Sequence, residues 1–154
     1  MSDARWFEID RAIAAAVKHF AGAVVIYGKD PAVLADEDRY VVDMAFMHAM
    51  QAGHTSLENA LLRILELCGE EPPSGASWHA DLVRRIAAQV GDRPAVLTGE
   101  AARAADATRR FRSIATHAYD TFDYTQAAAT VASARRLCEI LPAEIARFRE
   151  TYDP

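Results

Sequence analysis

"RWFEIDRAIAAAVKHFAGAVVIYG", residues 5–28, carries Trp6, Ile13, Phe20 and Tyr27 at seven-residue intervals, with Ile9, Val17 and Val24 between them. Apolar residues recurring at this spacing lie on one stripe of an α-helix, the face that packs. Gly28 ends the pattern and "KDP" (29–31) turns the chain. A second long helical pattern begins near Asp36; Val41, Met44 and His48 lead it, and Leu57, Leu61, Ile64, Leu65 and Cys68 close it. Gly69 stands where a helix cap is expected. "EEPPSGAS" (70–77) is the clearest loop. Ser77 is placed to cap a shorter helix through Leu82, Ile86 and Val90, and "GDRPAVLTG" (91–99) breaks it. Thr98 is placed to cap a fourth helix, with Glu100 favourable to its dipole, and Thr125 a last one through Val131, Cys138, Leu141, Ile145 and Phe148. Pro142 predicts a kink or a restart there. No alternating strand pattern and no internal repeat stands out. The reading is all-α: an antiparallel bundle of four to five helices, one domain over residues 1–154.

Composition agrees. A chain of 154 residues that is 51% apolar can build a core and is not a disordered chain. A formal charge of −5 argues against a protein that coats nucleic acid generally, though not against a local basic site. Cys68 and Cys138 lie in apolar helical patterns and read as buried thiols. "MSDARWFEID" lacks the basic start and apolar run of a signal peptide, and "AGAVVIYG" is too short for a membrane span. A soluble cytoplasmic protein is expected.

The fourth helix holds the unusual segment, "RRFRSIATHAYDTFD" (109–123). Its apolar stripe reads Phe111, Ile114, Ala115, Ala118 and Phe122. At about 100° per residue, Arg112 and Tyr119 share one flank of that stripe, while His117 falls about 140° from Arg112 on the other. Either the helix distorts or ends near His117, or a two-fold axis brings Arg112 of one chain to His117 of another. Arg103, Arg109 and Arg110 face only Glu100 and Asp106, giving a basic strip in an acidic protein. It reads equally as a phosphate-attracting surface or a solvated helix face.

Arg112-x-x-x-x-His117-x-Tyr119 resembles the R-x-x-x-x-H-x-Y motif of the HEPN superfamily, specifically the HepT-like ribonuclease toxins. "GHTSLENALLRI" (53–64), "SGASWHADLV" (74–83) and "RRFRSIATHAYD" (109–120) are similar too, so the likeness spans about Gly53 to Phe148. The resemblance implies a HEPN-like bundle and a metal-independent endoribonuclease toxin acting as a symmetric homodimer. It implies as partner an MntA-like nucleotidyltransferase antitoxin that transfers AMP to the motif tyrosine. Carried over, Arg112 and His117 are catalytic and Tyr119 is the AMP acceptor and a site-lining residue. Arg109 and Arg110 are weaker candidates for holding RNA. Neither a metal nor another cofactor is implied.

The chemistry is coherent. RNA is cleaved without a metal when its own 2′-hydroxyl attacks the adjacent phosphate. Histidine suits the proton transfers, and arginine grips phosphate oxygens with a planar fork. Tyr119 has a hydroxyl to donate and a ring to stack on a base. His54 and Glu58, four apart, read as an ordinary helix pair, with a place in the cleft as the alternative. Trp78 reads as a core or staple residue beside His79; His19 and His48 read as core. There is no Glu-x-x-His pair, no metal-ligand spacing, no serine triad and no Gly-rich phosphate loop. A second function class stays open: a non-catalytic helical module that binds the nucleotidyltransferase or a nucleotide without cutting RNA.

Overall fold

The computed structural model describes residues 4–29, 33–117 and 119–153. Among them are five α-helices: α1 (Ala4–Tyr27), α2 (Asp36–Leu67), α3 (Trp78–Ile86), α4 (Gly99–His117) and α5 (Ala128–Tyr152). A single isolated antiparallel bridge, Val90 to Arg93, is the only β-type pairing among the described residues. None of these helices is long and apolar enough to cross a membrane.

The four long helices close a ring in which α1 packs on α2, α2 on α4, α4 on α5 and α5 back on α1; short α3 sits against α2 and α4. Every seam is antiparallel. Phe20 of α1 meets Gly53 of α2. Across the next seam Gln51 Nε2 donates to Thr116 Oγ1 at 3.2 Å and His54 pairs with Thr108 at 2.8 Å. Arg136 of α5 binds Glu100 of α4 at 2.6 Å. Trp6 Nε1 donates to Asp153 Oδ2 at 2.7 Å, with the Arg149 guanidinium 4.8 Å above the indole. Trp6, Phe20, Phe46 and Phe148 are fully buried, each phenylalanine contributing about 1.5–3 kcal/mol of apolar transfer.

The first helix follows its stripe: Trp6, Ile9, Ile13 and Phe20 are buried, and Val17, Val24 and Tyr27 pack half-buried against the core. The start of α2 does not. Val41 and His48 are exposed and Met44 is half-buried, while Phe46, Met47 and Met50 take the core. Apolar residues occur on several faces there, and the close contact of Gly53 with Phe20 selects a different one. His19 is likewise only half-buried. Helix α3 stops at Ile86, so Val90 lies beyond it and is 39% exposed. In α4 the buried stripe is Ala101, Ala104, Ala105, Thr108 and Phe111; Ile114 is 43% exposed. Ala118 lies outside the described residues, and Phe122 follows the end of the helix. Helix α5 runs unbroken through Pro142. Cys68 and Cys138 are free and half-buried, and burial pushes both thiols up from their ordinary value.

Gly69 does terminate α2. Its φ is +74°, its amide reaches Glu66 O at 3.0 Å, and the Glu70 amide reaches Leu65 O at 2.9 Å. That is the Schellman pattern, which favours glycine at the left-handed position. The three expected hydroxyl caps are used otherwise. Ser77 holds the N-cap position of α3, but its hydroxyl donates to Asp81 at 3.3 Å. Thr98 directs its hydroxyl and amide to Glu144 Oε1 at 2.6 and 2.8 Å. Asp123, rather than Thr125, caps a short 3₁₀ turn (Tyr124–Ala127) that leads into α5. Arg93, almost wholly buried, ties the loops around α3 together. It binds the Glu70 carboxylate and the carbonyls of Arg85, Ala88 and Pro94.

Candidate functional site

Arg112 projects from α4 onto α2. Its Nε donates to Thr55 Oγ1 at 3.4 Å and lies 4.0 Å from Glu58 Oε1. The Arg112 side chain is 24% exposed and that of Glu58 only 4%, so the guanidinium covers a buried carboxylate and still reaches solvent.

The other Glu58 oxygen meets two histidines. His79 Nδ1, from the first turn of α3, is 2.5 Å from Oε2; His54 Nε2, one turn back on α2, is 3.4 Å from it. Burial alone would push the Glu58 carboxyl up, but its interactions with His54 and His79 outweigh that and hold the group below its ordinary value. Glu58 is therefore a carboxylate. The Thr108 hydroxyl donates to Ala105 O at 3.0 Å, so Thr108 accepts from His54, and His54 Nδ1 carries a proton. His54 Nε2 is buried, points at Glu58 and makes no aligned hydrogen bond. The His79 ring lies against the half-buried Trp78 ring, centroids 3.6 Å apart, which fixes its orientation.

His117 is the last residue of α4 and is exposed. The α-helix persists through it, so the angular separation from Arg112 stands within one protomer. Tyr119 opens a 3₁₀ turn, Tyr119–Thr121; its side chain lies outside the described residues. The basic strip is partly neutralised. Arg109 and Arg110 both bind Asp106, at 2.8 and 3.2 Å, and Glu100 is taken by Arg136.

The structure thus joins Arg112 to a group that sequence reasoning undervalued. His54 and Glu58 are the i, i+4 helix pair that was expected, but both are buried, and His79 completes their cluster. The available signal was a glutamate and two histidines in segments otherwise destined for the core. Among the described residues no group of three or more His, Cys, Asp or Glu side chains has the geometry to hold a metal.

Neither the curated proteins nor the solved structures gave a match. The family described as HepT-like protein matches residues 45–152, a segment that includes Glu58, His79, Arg112, His117 and Tyr119. That match extends over more than half of the sequence and ends within α5: the chain belongs to the HepT-like family.

Proposed function

We propose that this HepT-like protein is the RNA-cleaving toxin of a toxin–antitoxin pair, acting without a metal and as a homodimer. The observation that carries the reading is the complete Arg112-x-x-x-x-His117-x-Tyr119 motif inside the family-matched segment, with Arg112 held over a buried carboxylate instead of lying in a surface ion pair. Arg112 binds the non-bridging oxygens of the scissile phosphate. His117 transfers a proton. Because one helix directs the two side chains differently, a two-fold axis near α4 brings Arg112 of one protomer to His117 of the other.

The same reading includes silencing. A nucleotidyltransferase antitoxin transfers AMP to Tyr119, two residues beyond His117. The added bulk fills the cleft, and the added phosphate pairs with Arg112 or the neighbouring arginines, removing the cation that RNA needs.

The deciding experiment expresses the chain alone and together with a cognate nucleotidyltransferase, and assays the purified chain on RNA in excess EDTA. Growth arrest relieved by the partner, and EDTA-resistant cleavage lost in His117→Ala, are expected. Absence of cleavage and of any growth effect replaces this reading with that of a non-catalytic module.

A further inference from the structure

We propose that His79 is a further catalytic residue of this site: the proton acceptor for the 2′-hydroxyl, oriented by Glu58 beside Arg112. The inference rests on the RNA-cleavage reading above. Arg112 and His79 address the two oxygens of one carboxylate, so the phosphate-binding cation and this imidazole are neighbours within a single protomer.

The geometry suits the role. With Nδ1 at 2.5 Å from the Glu58 carboxylate oxygen, the bonding proton sits on Nδ1 and Nε2 faces away from the carboxylate. That is the tautomer a general base needs, and the carboxylate stabilises the imidazolium formed when Nε2 takes up a proton. The His79 side chain is 28% exposed, within reach of a bound strand. Trp78 restrains the ring from one side. His54 cannot substitute, because it is fully buried and its Nδ1 is engaged by Thr108.

The step balances. The 2′-hydroxyl proton moves to His79 Nε2 as the 2′-oxygen forms a bond to phosphorus. The bond from phosphorus to the 5′-oxygen breaks, and that oxygen takes a proton from protonated His117. The products carry a 2′,3′-cyclic phosphate and a 5′-hydroxyl. His79 ends protonated and His117 neutral, and both are reset by exchange with water.

The test uses a dye-labelled pool of random-sequence RNA oligonucleotides, with its 2′-O-methyl counterpart as an uncleavable ligand. His79→Asn keeps a donor facing Glu58 but removes the proton acceptor. Its kcat is expected to fall roughly 100-fold or more, with KM and 2′-O-methyl binding unchanged, and added imidazole should restore part of the rate of His79→Ala. His79→Asn cleaving at the wild-type rate while His117→Ala is inactive overturns this inference alone. So does a folded His79→Ala that imidazole fails to rescue. A wild-type chain that cuts no RNA overturns the underlying reading and this inference with it.

Discussion

Glu58 and His79 meet across the packing of α3 on α2 at 2.5 Å, joining a buried carboxylate to an imidazole that water can reach. The pairing ties stability to pH through Glu58, whose folded pKa lies below its ordinary value of 4.5. A depressed carboxylate contributes stability that is whole above the unfolded pKa and is lost as pH falls through the folded one. Glu58→Gln should therefore destabilise the protein by about 1–3 kcal/mol at neutral pH, because it replaces a charged hydrogen-bond acceptor with a neutral one. The melting temperatures of variant and wild type should converge as pH is lowered below 4.5. Parallel curves down to the acid limit would show that Glu58 is not a charged partner of the histidines.

The proposed two-protomer site makes a prediction about mixtures. Arg112→Ala and His117→Ala should each be inactive, yet an exchanged mixture should recover activity, because one site of each heterodimer receives both intact residues. With random pairing the ceiling is about a quarter of the wild-type rate. Sedimentation should find a dimer. A monomer with full activity, or a mixture that stays inactive despite demonstrated exchange, would rule out the shared cleft.

Modification should fall on Tyr119 and spare Tyr124. The Tyr124 hydroxyl already donates to Ile26 O at 3.0 Å and its ring stacks on Tyr27, so it is poorly placed as a nucleophile. Peptide mass spectrometry after co-expression with a cognate nucleotidyltransferase should find AMP on Tyr119, loss of cleavage, and escape in Tyr119→Phe. AMP confined to another tyrosine would refute the assignment.

Gly53→Ala should weaken the fold even though alanine is the better helix former. An added Cβ would lie 2.7 Å from Phe20 Cδ1, and that ring is fully buried. Overpacking of this kind costs about 1–3 kcal/mol, read by urea denaturation. A neutral or stabilising result would mean that α1 and α2 can separate slightly without loss.

The helical bundle was legible because residues such as Trp6, Ile13 and Phe20 repeat with the period of one packed face. Where α2 carries apolar side chains on several faces, the period does not choose among them, and the contact between Gly53 and Phe20 does. The hydroxyl caps were misread for a similar reason: Thr98 has a partner in Glu144, which local sequence cannot announce. At the site, Arg112 and His117 were found through a motif on one helix. Glu58 and His79 stand 21 positions apart on different helices. Their meeting is a product of packing, and no spacing rule encodes it.

The bond between Trp6 and Asp153 joins positions 147 apart, nearly the full span of the chain. Closing so long a loop costs more entropy than closing the short connection between α1 and α2, and contacts this far apart in sequence form slowly. The seam between α1 and α5 is therefore expected to assemble late. Once closed, it leaves neither end helix free to fray alone, and native-state hydrogen exchange should find the amides of α1 and α5 opening in a single cooperative event.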